Sequence, residues 1–387
     1  MFRLSRFMEA LRDGGPVPAP RKPAGPVVIW NLIRRCNLNC KHCYSTSADT
    51  NFKGELTTAE ALDVLGQLKA AHAPALILSG GEPLLREDLY TIAARAREMG
   101  FHLSLSSNGT LLDAAHAARL AESGFDYVGV SLDGMQDTHD RFRRSGDAFR
   151  HALAGLRAAR SAGLRVGVRM TLTEENANEL PAVVAFTEAE GIDKFYLSHF
   201  NYAGRGRSHR GDDARHAATR AALDWLFDHV WERARQGHAG DFVTGNNDAD
   251  GVYLLHWIAR HQPHRLADMR RRLVNWGGNA TGVGVANIDN LGNVHPDTMW
   301  WHVTLGNVRE RAFGDIWADR SDPLMAGLAA SPRPLQGRCA NCAQVDICNG
   351  NTRVRAAAVT GNPWAQDPGC YLTDEELAMQ LGAEVAA

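Results

Sequence analysis

The chain has 387 residues, 44% of them hydrophobic, and a formal net charge of −2. That length supports one large domain plus a smaller one with ordinary cores; the near-neutral charge leaves no electrostatic footprint for nucleic acid, and no run of about 18 apolar residues offers a membrane span. No apolar segment of secretory type follows Met1, so the expectation is a cytoplasmic protein in a reducing compartment.

Residues 1–25 read as a short helix carrying Arg3, Arg6 and Arg12, then a Pro/Gly-rich linker. From Val27 onward short apolar runs alternate with helical patterns. The predicted strands are Val27–Trp30, Ala75–Ser79, Leu103–Ser106, Tyr127–Ser131, Arg165–Met170 and Lys194–Ser198. Such alternation is the pattern of repeated β/α units and a parallel sheet, so residues 26–211 are predicted to form an α/β domain, a partial (β/α)6 TIM-like barrel. Thr57-Thr58-Ala59-Glu60 is a capping box ahead of the helix Ala61–Ala71, and Gly100 stops the helix Asp88–Met99. Residues 212–276 read as a helical connection, with helices over Asp212–Gln236, Val252–His261 and Leu266–Val274; Thr244–Asp250 is a polar turn or cap. Residues 277–387 form a last domain, opened by a hairpin of Val283–Ile288 with Asn293–Pro296 and a helix over Ala312–Asp319.

The seven cysteines fall into two groups. Cys36, Cys40 and Cys43 stand C-x3-C-x2-C just after the first strand. Three thiolates suit an iron–sulfur cubane with one iron left open, and an incomplete ligand set marks chemistry rather than structure. Zinc would need a fourth ligand, and only the badly placed His42 is near. Cys339, Cys342, Cys348 and Cys370 supply a full set of four, which fits a closed [4Fe-4S] cluster, with structural zinc as the alternative. In a barrel of parallel strands the chemistry sits at the strands' C-terminal ends, and each end here is polar: Gly80-Gly81-Glu82-Pro83, Ser106-Ser107-Asn108-Gly109, Ser131-Leu132-Asp133-Gly134, Arg169, and Ser198-His199-Phe200-Asn201.

The cysteine spacing followed by Gly80-Gly81-Glu82-Pro83 resembles the radical S-adenosylmethionine (radical SAM) enzymes, and the C-terminal set resembles their SPASM and twitch extensions. The resemblance implies a [4Fe-4S] cluster on Cys36, Cys40 and Cys43 whose open iron chelates SAM, which is cleaved to methionine and a 5′-deoxyadenosyl radical. By the same resemblance Gly80, Gly81, Glu82 and Pro83 receive the SAM amino group, Ser107 and Asn108 its ribose or carboxylate region, Ser131 and Asp133 the ribose, and Arg169 the carboxylate. The glycines would let the backbone approach the ligand. One auxiliary [4Fe-4S] cluster is expected, because Asp297–His302 and Thr352 stand where the cysteines of a second would lie.

The segments Val27–Leu32, Phe195–His199, Thr244–Asp250 and Asp297–His302 resemble the radical SAM branch of haem d1 biosynthesis. That resemblance implies an iron tetrapyrrole substrate, didecarboxysirohaem, with removal of two propionate side chains later replaced by oxo groups, and an external electron donor as partner. A polycarboxylate macrocycle needs cationic clamps and flat walls. Candidates are Arg205, Arg207, His209 and Arg210 past the sixth strand, Arg141, Arg143 and Arg144 past the fourth, and Trp300 and Trp301, with His199 or His302 as a ligand for the substrate's iron. The competing readings are a peptide-modifying SPASM maturase, another haem-pathway radical SAM decarboxylase, and a two-cluster electron carrier without catalysis.

Overall fold

A computed structural model describes residues 1–20, 24–238 and 240–382; residues 21–23 of the expected linker, residue 239 of the expected helical connection and residues 383–387 of the last domain lie outside them. Ten strands form one sheet: β1 (Val27–Ile33), β2 (Ala75–Gly80), β3 (His102–Ser107), β4 (Tyr127–Ser131), β5 (Val166–Leu172), β6 (Lys194–His199), β7 (Asp241–Gly245), β8 (Val285–Ile288), β9 (Asn293–His295) and β10 (Gly306–Asn307). Their spatial order is β10-β9-β8-β1-β2-β3-β4-β5-β6-β7. From β1 to β7 each strand runs parallel to the next. β8 lies parallel on the other side of β1, while β9 and β10 turn back antiparallel.

All six expected strands are present, and two more join the parallel set. β7 falls inside the region read as a helical connection, and β8 extends the barrel sheet from the region read as a last domain, so the sheet runs past both boundaries drawn from the sequence. The β7 edge is covered by the N-terminal segment: Phe2 and Thr244 exchange two backbone hydrogen bonds of 2.8 Å, and helix α1 (Leu4–Asp13) buries Leu4, Met8 and Leu11 behind them.

The crossover helices are α2 (Thr58–Ala70), α3 (Leu89–Glu98), α4 (Ala114–Glu122), α5 (Gln136–Arg143), α6 (Ala148–Ser161) and α7 (Leu180–Ala189), followed by α8 (His216–Arg235), α9 (Ala249–His261) and α10 (Leu266–Trp276). The capping box forms: Glu60 N–H donates to Thr57 Oγ1 at 3.3 Å and Thr57 N–H to Glu60 Oε2 at 2.7 Å. Side chains alternate across each strand. One face, Val28, Trp30, Leu76, Leu78, Leu103, Leu105, Val128, Val130, Val166 and Val168, is buried with the helices. The opposite face carries Asn31 beside Ser79, Ser131 beside Arg169, and Thr171 beside Ser198. An apolar outer face and a polar inner one leave a lumen that a polar ligand can enter.

The C-terminal region is fastened to the barrel by the segment Thr244–Asp250, expected as a turn or cap. Asn247 Nδ2 donates to Gly369 O at 2.8 Å and Asp248 N–H to Asn351 Oδ1 at 2.7 Å. The buried Arg355 pairs with Asp367 at 2.8 Å and donates to Asn246 O at 2.7 Å.

Candidate active site

The loop after β1 brings Cys36, Cys40 and Cys43 into one small packed group with Leu38. Each sulfur has a donor near it. Cys36 Sγ accepts from Leu38 N–H at 3.4 Å and faces Asn108 Nδ2 at 3.7 Å; Arg143 Nη1 donates to Cys40 Sγ at 3.5 Å; Ser45 Oγ lies 3.2 Å from Cys43 Sγ. Burial, then the Glu82 charge, pushes the Cys36 thiol up to about 12. Burial also raises Cys40, against Arg143. For Cys43 burial is outweighed by Ser45, the Ser47 backbone and Arg205, and its pKa falls. Two thiols that resist ionising alone and a third eased toward its thiolate, each with a donor near its sulfur, fit a positively charged metal core that would hold all three as thiolates. Among the described residues no group of three or more His, Cys, Asp or Glu converges tightly enough to chelate a single ion; the donor set is thiolate, as a cubane takes.

The GGEP segment runs directly on from β2, and its atoms have partners within the protein. A Cβ on Gly80 would meet Ile33 O at 2.3 Å, and one on Gly81 would meet Arg35 O at 2.3 Å. These glycines let β2 close against the chain entering the cysteine loop, with Gly81 N–H donating to Ile33 O at 2.7 Å and Glu82 N–H to Arg35 O at 2.9 Å. Close approach to backbone by itself requires glycine at both positions. Pro83 opens a short 3₁₀ turn and is itself buried. Glu82 is fully buried. Its carboxylate accepts from Ser107 Oγ and Asn108 N–H, both at 2.8 Å, and from Leu84 N–H at 3.2 Å; burial raises its pKa to about 6, against those bonds. It therefore positions Ser107 and Asn108, and through Asn108 touches the Cys36 corner.

Asp133 also has internal partners. Fully buried, it pairs with Arg143 Nη2 and accepts from Thr171 N–H at 2.8 Å. Ser131 hydroxyl has no protein partner among the described residues. Arg169 donates to Ser106 Oγ and lies 5.3 Å over the Tyr196 ring, with no carboxylate partner among the described residues.

Of the basic residues read as substrate clamps, Arg205 is a staple for the cysteine loop, donating to Cys40 O at 2.8 Å and Ser47 O at 2.7 Å. Arg141 pairs with Glu175, Arg143 is buried against Asp133 and Cys40, His209 caps Arg205 O at 3.0 Å, and Arg210 reaches Ala358 O at 3.5 Å. Arg144 and Arg207 are exposed without a carboxylate partner among the described residues. His199 is buried with Nε2 3.0 Å from Asp250 Oδ2, and Tyr371 OH donates to Asp250 Oδ1 at 2.7 Å. His302 keeps much of its surface exposed while its ring stacks on Trp300 at 5.5 Å, and this partial desolvation, then Arg207, lowers its pKa. Trp301 lies 5.9 Å from Tyr44 of the cysteine loop. Sequence reasoning missed Asn31, whose Nδ2 donates to Tyr44 OH at 2.9 Å while its Oδ1 accepts from Asn287 at 2.6 Å; an asparagine inside an apolar strand is the one signal that could have found it.

The second cysteine set lines a single cavity: Cys339, Cys342, Cys348 and Cys370, with Arg338 and Asp367 on its wall. Burial, then the neighbouring thiols, raises Cys348 well above its ordinary value, and burial raises Cys370 to about 11. Four thiols converging on one cavity fit a closed cluster by the same reasoning.

A parallel-stranded lumen with three cysteines at its mouth defines the class, and the chain belongs to the radical SAM superfamily, whose family model matches residues 30–187. Membership brings SAM and one [4Fe-4S] cluster as cofactors. At the level of individual relatives, the chain is 52% identical over 378 residues to the Pre-heme d1 synthase of Dinoroseobacter shibae, covering 97% of this chain and 93% of that protein. It is 42% identical over 360 residues to the Fe-coproporphyrin III synthase of Methanosarcina barkeri, covering 92% and 90%. In fold it matches Streptococcus suis SuiB bound to its precursor peptide SuiA, with a TM-score of 0.70 at 16% identity over 90% of this chain and 76% of that one. No helix among the described residues is long and apolar enough to cross a membrane.

Proposed function

We propose that this protein is a radical SAM enzyme of haem d1 biosynthesis that acts on didecarboxysirohaem and removes two propionate side chains. The observation that carries this reading is the 52% identity to Pre-heme d1 synthase along 97% of the chain. In this reading Cys36, Cys40 and Cys43 hold the SAM-binding cluster, and Cys339, Cys342, Cys348 and Cys370 hold one auxiliary [4Fe-4S] cluster. When bound, the first cluster would supply the electron for cleavage of SAM to methionine and a 5′-deoxyadenosyl radical, the hydrogen-abstracting species that would begin loss of a propionate arm, and an external one-electron donor would replenish it.

The chain's own residues divide the remaining work. Arg169, a cation in the lumen without a carboxylate partner, takes the SAM carboxylate, and Ser131, next to it across β4 and β5, takes the ribose. Glu82, Ser107 and Asn108 hold the shape of the site. Trp301 beside Tyr44 offers the macrocycle a flat wall, Arg207 a charge for a carboxylate arm, and His302 a nitrogen for its iron. The haem substrate separates this reading from a peptide maturase sharing the fold.

The test is anaerobic. The clusters are reconstituted, reductant, SAM and didecarboxysirohaem are added, and tetrapyrrole mass is followed together with 5′-deoxyadenosine. Loss of propionate-derived mass coupled to 5′-deoxyadenosine supports the proposal; 5′-deoxyadenosine with an unchanged tetrapyrrole refutes the substrate and turns attention to peptides.

A further inference from the structure

The three cysteines of the barrel mouth are not treated alike by the protein. Cys36 meets neutral donors, an amide N–H and the Asn108 side chain, and Cys43 meets the Ser45 hydroxyl. Among the described residues, Cys40 alone of the three receives a charged donor, Arg143 Nη1 at 3.5 Å. Arg143 reaches it from the last turn of α5 with only 8% of its side chain exposed, and its other terminal nitrogen is paired with the fully buried Asp133. Its Nε is buried without a hydrogen-bond partner among the described residues. Asp133 is in turn fixed from three sides: Thr171 N–H donates to its carboxylate at 2.8 Å, Asn176 Nδ2 to its carbonyl at 2.8 Å, and its own N–H donates to His139 Nδ1 at 3.0 Å. A buried cation on a cluster thiolate and a buried anion behind the cation form a graded electrostatic arm, in surroundings where screening by water is weak.

We propose that Asp133 and Arg143 are positioning residues which together set the reduction potential of the cluster through Cys40, and that Asp133 serves this arm rather than the SAM ribose. The inference rests on the reading of Cys36, Cys40 and Cys43 as the cluster's ligands. Adding one electron makes the cluster and its thiolates more negative by one charge. Arg143, as a cation and as an N–H donor to sulfur, stabilises that reduced state and raises the potential; hydrogen bonds to the sulfurs and local charge are the protein's recognised means of doing so. Asp133 offsets part of the cation's field and limits the rise, and so keeps the reduced cluster a strong reductant. Cation and anion should therefore act with opposite sign.

The experiment is a redox titration of the cluster-loaded protein followed by electron paramagnetic resonance, with SAM affinity measured in parallel. The relevant signal is the one that changes when SAM is added; its absence from the unmodified protein would refute the ligand reading itself and is thereby told apart from failure of the present inference. Asp133→Asn is nearly isosteric and keeps an acceptor for Thr171, so it removes charge with little change of shape. Expected are a higher potential in Asp133→Asn, a lower one in Arg143→Gln, a value near the unmodified protein in Arg143→Lys, and SAM affinity in Asp133→Asn within about threefold of the original. Unchanged potentials, or shifts of the same sign in the Asn and Gln variants, overturn the proposal. So does an Asp133→Asn variant that binds SAM more than about tenfold worse at an unchanged potential, which would return Asp133 to the ribose. If Arg143→Gln does not take up the cluster, the Asn and Lys variants decide: an upward shift in the first with a near-original value in the second supports the arm, and any other pair of results overturns it.

Discussion

Replacing Glu82 by alanine should weaken the fold by up to about 4 kcal/mol at neutral pH and disturb the Cys36 corner of the site, although Glu82 touches no cysteine. The carboxylate accepts three hydrogen bonds in a fully buried setting. The Ser107 hydroxyl can turn to another acceptor, but the amides of Leu84 and Asn108 cannot, and each orphaned buried donor costs about 1–3 kcal/mol. Against that total of about 2–6 kcal/mol stands the relief of a carboxylate whose pKa burial has raised from 4.5 to about 6. Because the folded state binds that proton more tightly, the ionised group costs about 2 kcal/mol above pH 6 and nothing below pH 4.5. The difference gives the expected loss. Glu82→Gln keeps the shape and one acceptor and should lie within about 1 kcal/mol of the original protein, with SAM affinity retained. Urea unfolding of the two variants under anaerobic conditions measures the loss, and equilibrium dialysis with labelled SAM measures the affinity. At pH 4, where that relief vanishes and the full loss of about 2–6 kcal/mol applies, an alanine variant as stable as the original to about 0.5 kcal/mol would refute the hydrogen-bond argument. A glutamine variant that folds but loses SAM would show instead that the charge contacts the ligand directly.

Arg169→Gln removes a lumen cation that has no carboxylate partner among the described residues; loss of a charge-assisted pair worth about 1.5–3 kcal/mol should weaken SAM binding about 10- to 150-fold. Unaltered dialysis would place the SAM carboxylate elsewhere. Cys342→Ala should remove the auxiliary cluster alone, so that the protein binds about half the iron of the original and still forms 5′-deoxyadenosine from SAM; loss of all cluster iron would mean that the two sites assemble as one unit. The pH dependence of stability should carry a contribution from His139, whose pKa burial and then Arg143 lower from 6.5 to about 3. The folded state keeps this ring neutral, with Nδ1 accepting from Asp133 N–H. Its contribution is therefore complete above pH 6.5 and is lost as pH falls toward 3, about 2 kcal/mol by pH 5. His139→Asn should flatten that part of the profile in urea titrations at pH 5 and pH 7, and an unchanged slope would exclude the ring as its source.

The six central strands were legible because each is an apolar run bounded by turn residues, and the capping box at Thr57 because its chemistry is local. β7 was not, since only Phe242 and Val243 are apolar in Asp241–Gly245 and its identity as a strand comes from pairing with β6, a contact that no local pattern encodes. The Val285–Ile288 hairpin strand was legible, but its place beside β1, more than 250 residues earlier, was not. The cysteine groupings could be read from spacing alone; that Cys339 and Cys370 face one cavity needed the fold.

Polar residues at strand ends look alike in a sequence, and the structure sorts them by whether the protein has already used them. Glu82, Asp133, Arg143 and Arg205 were all plausible ligand contacts by position, and each proves to be committed to other parts of the chain. Such commitments depend on partners in other loops, Asn108 for Glu82 and the cysteine loop for Arg205, so sequence position cannot reveal them. What remains is a shorter set: Arg169 and Ser131 in the lumen, the exposed Arg144 and Arg207, His302, and the ring face of Trp301, whose indole N–H is already given to Asp289 at 3.2 Å. A buried or lumen-facing polar group left without a partner must be satisfied by solvent or ligand, and a cation in that position favours an anionic ligand. The committed residues therefore decide the shape and potential of the centre, and the uncommitted ones decide what it can bind. Substitutions in the first group should show in cluster spectra or stability, and substitutions in the second should show in ligand affinity with the cluster intact.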